Sequence, residues 1–471
     1  MKIMLVSPPF KGMSKYPPLG IGYIASTLME NGFPDVSLLD ADIMEYSVEK
    51  TIDKIMNDDP DLVGISVCTP AVNTTLKIAE RLKNLDDRLR VIVGGPHISS
   101  FPETLLSSRY IDAACIGEGE ESFLELSERY KQGRDLNGVR GVFYKDNGQI
   151  IKNELRQTIS DIDKIPPPAR FLYKLDRYRI AGEFPPGKFP FTTLLTGRGC
   201  PFNCTFCASK TVFGRKIRFR SVDMVLKEIE DIVYRFGIRH IQIIDDTFTF
   251  KKSRVIEFCE KIKKRGLKII WNCYARVNTV DPEILKAMKE AGCYMITYGL
   301  ESGNQDILDN IKKQTTVEMG KRAITLTKKI GIKTQAGFMF GGPGETRESI
   351  KQTVKFALSL KCDHVGTSIA TPYPGTELFN TFKEKIGQNI DWDLLTMQNP
   401  EDLGEVNPVV LCCDMDKEEF IAMYRWALRK LLLQPRFVFN RALRIRSFKE
   451  LFWGLSSIFK ITFSNIRALK G

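Results

Sequence analysis

Apolar strand-length runs alternate with helix-length segments along most of this 471-residue chain, and that alternation leaves few folds open. Lys2 to Val6 reads as a buried strand, and Leu19 to Asn31 has helical spacing that stops at Gly32. Val36–Asp40, Leu62–Val67, Arg90–His97 and Ala113–Glu120 read as further strands, with a helix from about Ala71 to Leu85 between two of them. Strands that are apolar on both sides, each followed by a helix, call for a parallel sheet covered on both faces. The expectation for residues 1–150 is a doubly wound α/β domain.

A stiff connector is expected over residues 151–188, where Pro166-Pro167-Pro168 and Pro185-Pro186-Gly187 break helices. The alternation then resumes. Phe191–Thr196, His240–Ile244, Lys268–Tyr274, Tyr294–Leu300, Ile332–Phe340 and Val365–Ala370 read as six strands whose polar residues gather at the carboxyl ends. Six (β/α) units over residues 189–375 make an incomplete barrel, open on one side, with its active face at those ends. Residues 376–471 read as a helical, basic carboxy-terminal region.

Cys200, Cys204 and Cys207 sit in a loop directly after the first strand of the second series. Three thiolates at spacings of four and three can hold three irons of a 4Fe–4S cube, leaving the fourth iron open for a ligand that takes part in chemistry. Zinc is the rival, but a zinc knuckle normally adds a second ligand pair, and no such pair follows. The other eight cysteines lie mostly in apolar runs, where a buried free thiol is the ordinary state, and Cys412-Cys413 is a possible source of a further ligand. Neither a signal peptide nor regular disulfide spacing is present, which points to a reducing, cytoplasmic compartment.

In the first domain Ser66, Thr69, Gly94, Gly95 and Gly117 lie just beyond strand ends, where an open α/β sheet binds ligands and where small residues let a large flat ligand approach. Turn glycines of a generic sheet are the plainer alternative. No G-x-G-x-x-G follows the first strand, and Gly117-Glu118-Gly119-Glu120 is too acidic to cradle phosphate.

Taken together, these segments resemble the cobalamin-binding branch of the radical S-adenosylmethionine (radical SAM) superfamily. Cys200-x₃-Cys204-x₂-Cys207 with Phe206 before the last cysteine is similar to its signature. Asp245-Asp246-Thr247-Phe248, Tyr298-Gly299-Leu300-Glu301-Ser302-Gly303, Gly341-Gly342-Pro343-Gly344-Glu345-Thr346 and Tyr373-Pro374-Gly375-Thr376 are similar to its companion segments. Gly94-Gly95-Pro96-His97 and Gly117-Glu118-Gly119-Glu120-Glu121 resemble the cobalamin domain of the same group. The likeness runs from residue 2 to about 380.

The resemblance implies three cofactors: a 4Fe–4S cluster, S-adenosylmethionine and cobalamin. It places Asp245 and Asp246 near the methionine amino group and Glu301 near the ribose hydroxyls. Phe206, Gly341, Gly342 and Gly344 would line adenine and methionine. Catalytic residues are left unassigned; Tyr274, Arg276 and Tyr298 are candidates for the substrate cavity, although a tyrosine in an apolar strand is more often a core residue. Many cobalamin domains use an Asp-x-His-x-x-Gly loop. Here the comparable stretch is Asp40-Ala41-Asp42-Ile43-Met44-Glu45, so the resemblance implies base-off cobalamin without a protein histidine ligand, or else a degenerate domain.

The implied reaction is C-methylation at an unactivated carbon, with radical cyclisation or carbon–carbon coupling as the rival and a non-catalytic cobalamin or cluster sensor as a reading of another class. An electron donor such as flavodoxin or ferredoxin is implied. The net charge of +12 is concentrated at the end: from Arg425 onward eleven Lys and Arg face one acid, Glu450. Basicity confined to a tail argues against nucleic acid as the partner of the whole chain. Phe448, Leu451, Phe452, Leu455, Ile458 and Phe459 recur at helical spacing among basic residues, as in an interfacial helix at a membrane surface. A helix packed over the barrel mouth and a partner-binding helix are the alternatives. The interfacial reading makes a hydrophobic lipid or isoprenoid-like substrate the expectation.

Overall fold

The computed structural model describes residues 1–10, 16–178, 190–386, 390–392, 395 and 411–434. The interfacial helix expected after Arg436 lies outside these residues. Among the described residues no helix is long and apolar enough to cross a membrane.

The first sheet contains β1 (Ile3–Ser7), β2 (Val36–Asp40), β3 (Leu62–Ser66), β4 (Arg90–Gly94), β5 (Ala113–Cys115), β6 (Val142–Asp146) and β7 (Gln149–Lys152), in the order β2-β1-β3-β4-β5-β6-β7. The first five strands pair in parallel. The last two add as an antiparallel hairpin that the sequence reading did not anticipate and that crosses residue 150. Its signal is Asn147-Gly148, both at positive φ (47° and 81°), the residues a two-residue hairpin turn demands between β-forming runs. Helices on both faces bury β1 entirely, and β4 feeds two cores: Val91 packs into one apolar layer and Ile92 into the other.

The connector is stapled to the first domain rather than free. Ser26 Oγ donates to the Pro167 carbonyl at 2.6 Å, Ala169 N–H donates to the Gly22 carbonyl at 3.0 Å, and Tyr173 Oη donates to the Pro18 carbonyl at 2.9 Å.

The second sheet begins with β8 (Phe191–Leu194). A two-stranded ribbon of β9 (Gly197–Arg198) and β10 (Arg218–Phe219) brackets the cysteine loop. The sheet continues with β11 (His240–Ile243), β12 (Ile270–Ala275), β13 (Cys293–Glu301), β14 (Lys333–Phe340) and β15 (His364–Ile369). The six strands run parallel in chain order with β8 and β15 as edges, an open (β/α)6 barrel.

Strand parity sorts the two faces. Ile241, Ile243, Trp271, Cys273, Ile296, Tyr298, Ala336 and Phe338 point outward into the core made with the helices. The alternate residues point into the barrel. At the β8 side that inner face is covered by the first domain and connector, with Phe191 and Met295 packing against Ile43, Tyr173 and Tyr178. Tyr298, a candidate for the substrate cavity, is therefore a core residue: it is fully buried and its hydroxyl meets Thr327 Oγ1 at 2.8 Å.

Candidate active site

Gly199 opens the cysteine loop at φ +92°, and a Cβ there would lie 2.5 Å from the Lys216 carbonyl oxygen, so only glycine fits the turn. The loop is pinned at its middle. Thr205 N–H donates to the Ile311 carbonyl at 3.1 Å, and the Thr205 carbonyl accepts from Leu378 N–H at 2.9 Å. Cys200, Cys204 and Cys207 are all half-buried and free. Burial, with the Asp246 charge and the neighbouring thiols adding to it, pushes the Cys207 thiol up to about 11 and raises Cys200 as well. Three soft thiolates held together against that opposition suit a cationic partner. Among the described residues, no three His, Cys, Asp or Glu side chains converge tightly enough to grip a single metal ion. The donor set fits a cluster held at several corners. Arg276 supports it: its guanidinium lies 3.6 Å from the Phe202 ring centroid and donates to Cys204 Sγ at 3.6 Å.

The two adjacent acids after β11 part company. Asp245 continues the outward parity of Ile243; it is buried and accepts from Thr196 N–H at 2.6 Å and from Thr196 Oγ1 at 2.5 Å. Burial raises its carboxyl to about 6. Asp245 thus braces the end of β8, and both its oxygens are engaged there. Asp246 has the inward parity of Gln242, accepts from Ser209 Oγ at 2.6 Å and is electrostatically felt by Cys200 and Cys207. Of the pair, only Asp246 faces the cysteine loop.

Glu301 holds a left-handed conformation (φ +64°) at a bulge in β13, and its carboxylate pairs with the Lys313 ammonium at 2.7 Å. Lys313, which sequence reasoning missed, also lies 5.7 Å from the Phe206 ring centroid. Phe206 packs beside Ile311, Met339 and Cys412. Cys412 and Cys413 are buried in apolar clusters. Gly341 and Gly344 both have positive φ. A Cβ at Gly341 would meet Phe420 at 2.9 Å, so this glycine lets the helix Lys417–Leu432 close on the barrel end. Glu345 is buried and accepts from Gly341 N–H, and burial raises its carboxyl to about 7.

In the first domain the strand-end residues form a shallow cradle. Gly95 has φ +98°, and a Cβ there would come within 2.9 Å of Val67 N and 3.1 Å of Ser66 Oγ. A Cβ at Gly94 would contact only Cys115, and Gly117 (φ +80°) has nothing within 4 Å of that position. Thr69 Oγ1 lies 3.2 Å from His97 Nδ1. The open backbone at three adjacent strand ends fits a large flat cofactor. In the Asp40–Glu45 stretch, which has no histidine, Asp40 accepts from Tyr178 Oη at 2.8 Å, and Asp42 accepts from Phe10 N–H at 3.3 Å. His97 is wedged against the Trp392 ring at 4.8 Å, and burial lowers it to about 4.

The Gly117–Glu121 segment has a role that its composition did not reveal. Glu118 receives Arg198 and Arg218, each at 2.7 Å, while Glu120 receives Arg198 at 2.5 Å, all four side chains being buried. Arg198 also lies over the Tyr23 and Phe213 rings. The acids belong to the cobalamin-type domain and the bases to the ribbon that brackets the cysteine loop. Arg198 stands two residues before Cys200.

Comparison with known proteins agrees with this geometry. Residues 194–357 match the Radical SAM superfamily and residues 12–127 the B12 binding domain. An uncharacterized methyltransferase of Pyrococcus horikoshii is 37% identical over 465 residues, covering 94% of this chain and 97% of its own. An anaerobic magnesium-protoporphyrin IX monomethyl ester cyclase of Rubrivivax gelatinosus is 29% identical over 457 residues, covering 93% and 78%. Among solved structures, the radical S-adenosylmethionine methyltransferase TsrM of Kitasatospora setae is similar with a TM-score of 0.68 at 20% identity, covering 83% of this chain and 76% of its own. The cobalamin-dependent enzyme OxsB is similar with a TM-score of 0.71 at 20% identity, covering 98% and 72%. The chain belongs to the cobalamin-binding radical SAM enzymes, a family of methyltransferases and cyclases whose cofactors are a 4Fe–4S cluster, S-adenosylmethionine and cobalamin.

Proposed function

We propose that this enzyme is a cobalamin-dependent C-methyltransferase acting on an unactivated carbon of a bulky, largely apolar substrate. The observation that carries the reading is the buried ion-pair chain from Glu118 and Glu120 to Arg198 and Arg218. It ties the cobalamin-type crevice to the strand feeding Cys200, the proximity that a reaction shared between two cofactors requires. The methyltransferase of P. horikoshii, similar along nearly its whole length, supports it further.

When bound, the three cofactors supply reductive cleavage of S-adenosylmethionine and transfer of its methyl group. In this reading the protein holds, orients and shields. Cys200, Cys204 and Cys207 bind three irons, and Arg276 steadies the Cys204 sulfur. Asp246 is placed for the methionine amino group, and Glu301, held by Lys313, for the ribose hydroxyls. Phe206, Gly341, Gly342 and Gly344 line adenine and methionine. Ser66, Thr69, Gly94, Gly95 and Gly117 cradle cobalamin, base-off, with no histidine below. A flavodoxin or ferredoxin delivers electrons. In this reading the basic, aromatic tail after Arg436 meets a lipid surface.

Ring closure is the second reading, favoured by the cyclase similar over 93% of this chain. The test is anaerobic incubation of reconstituted protein with cobalamin, reductant and methyl-labelled S-adenosylmethionine, in the presence of a cell extract. Label in a product of unchanged hydrogen count apart from one methylene establishes methylation. A product lighter by two hydrogens establishes ring closure. If no 5′-deoxyadenosine forms at all, both readings fall.

A further inference from the structure

A buried arginine is ordinarily matched by a carboxylate, and four in this chain are. Arg170 and Arg220 share the buried Glu228, while Arg198 and Arg218 share the buried Glu118. Arg276, directly after β12 and only 6% exposed, is matched differently. Its guanidinium donates to Cys204 Sγ at 3.6 Å, within reach of a large sulfur acceptor, and to the Lys313 carbonyl. The Phe202 ring closes one face, its centroid 3.6 Å away. The described residues thus give Arg276 a sulfur, a carbonyl oxygen and a ring where the other four have carboxylates.

Two of these three partners belong to the cysteine loop, so the cation is held by the loop that it faces. The other contacts fix it there. Phe202 packs edge-on against Phe250 with centroids 6.1 Å apart, and the Lys313 side chain is held by Glu301 at 2.7 Å. The segment that receives Arg276 at the Lys313 carbonyl also receives Thr205 N–H at the Ile311 carbonyl, at 3.1 Å. Loop and cation therefore share one anchor.

A 4Fe–4S cube held by three thiolates is an anion, and the electron that starts radical chemistry makes it more negative. A fixed cation that donates to a ligand sulfur stabilises the reduced form more than the oxidised one. We infer that Arg276 is a positioning residue that raises the reduction potential of the cluster, acting through the Cys204 sulfur. The donor, a flavodoxin or ferredoxin, gives up one electron and the cluster gains it, with no bond made or broken. This deepens the proposed function and rests on its reading of the three cysteines as cluster ligands, whether the product is methylated or cyclised.

The test is an anaerobic redox titration of the full chain with its reconstituted cluster, without S-adenosylmethionine or substrate. The electron paramagnetic resonance signal of the reduced cluster is the readout. For Arg276→Met the ratio of reduced to oxidised cluster at a fixed potential is expected to fall about 10-fold, equivalent to about 59 mV for one electron. Arg276→Lys keeps the charge but loses the planar fork, and its ratio should fall less. Phe202→Leu removes the ring that holds the guanidinium and should shift the ratio in the same direction. Iron and sulfide content show which variants hold a full cluster, and any one of them suffices.

If the unaltered chain gives no 4Fe–4S spectrum, the cluster reading falls and takes this inference with it. If the unaltered cluster is normal but a fully loaded variant has an unchanged or higher potential, this inference alone is overturned. A shift that appears only when S-adenosylmethionine is added also overturns it, because Arg276 then acts as a ligand of that molecule. So does failure of all three variants to hold a cluster, which would make Arg276 a structural prop of the loop.

Discussion

Neighbouring residues on a strand meet different fates in the two sheets. In β4 of the first sheet, Val91 and Ile92 point to opposite faces and are both fully buried, each in its own apolar layer. In β13 of the second, Tyr298 is buried against helices while Thr297, one residue away, faces an open barrel. A sheet covered on both sides has room for a ligand only at its strand ends, and the first domain keeps its small residues there. A sheet curved with part of its inner face uncovered can also bind along its strands. The same βα grammar therefore leaves room at the strand ends in one domain and along the strands in the other.

The sharpest break of this comparison leaves both sheets intact. Cys204→Ala removes one corner of the cluster site, and formation of 5′-deoxyadenosine should fall below detection together with the cluster's visible absorbance. Circular dichroism should be close to that of the apo protein. Retained cleavage would show that the loop is not the cluster site.

The link between the sheets is next in size. Glu118→Ala leaves Arg198 and Arg218 buried, with Arg198 keeping only Glu120, and loss of one partner from such a buried network costs about 3–5 kcal/mol. Urea unfolding should move to lower concentration and separate into two steps as the domains uncouple. A cost under about 1 kcal/mol, the range of an exposed pair, would mean that the acids are solvated in solution.

Within the sheets, Ile92→Ala should cost about 2–5 kcal/mol and Tyr298→Ala about 3–5 kcal/mol, both being core truncations. Val91→Ala should also be clearly destabilising, by roughly 1–3 kcal/mol. Thr297→Ala should cost under about 1 kcal/mol, because its side chain is only partly buried and makes one long hydrogen bond, to Gln335 at 3.4 Å. Thermal or urea denaturation of the four variants checks the asymmetry: equal costs at positions 297 and 298 would mean that the barrel interior is packed.

The smallest effect is one of pH. The Glu345 carboxyl, ordinarily near 4.5, is raised to about 7 by burial, so the folded state holds its proton longer than the unfolded chain does. Its contribution to stability is complete below about pH 4.5 and is lost as pH rises toward 7. Glu345→Gln should flatten that part of the stability profile measured by urea unfolding between pH 4.5 and 7.5. An unchanged slope would place its carboxylate in contact with water.

Much of this was legible in the sequence because it is local. Apolar runs and helical spacing located the strands of both sheets, and the spacing of three cysteines located the cluster loop. Parity within a strand is legible too. Counting from Ile241 and Ile243 sends Asp245 outward and Asp246 inward, and counting from Ile296 sends Tyr298 into the core. The Asn147-Gly148 turn marks the β6–β7 hairpin, whose strands are too short and too polar to read as buried parallel strands. What no local pattern could reveal is the pairing of Glu118 with Arg198 and Arg218, at separations of 80 and 100 residues. In the sequence Glu118 and Glu120 only argue against phosphate; it is the fold that sets two arginines against them.

That pairing also has a direction in time. The acids of the Gly117–Glu121 segment are synthesised well before the arginines they neutralise, and amino-terminal domains generally fold first as a chain leaves the ribosome. When Arg198 and Arg218 emerge, the counter-charges they need are already in place on a finished surface, and the cysteine loop between them is shaped against that template.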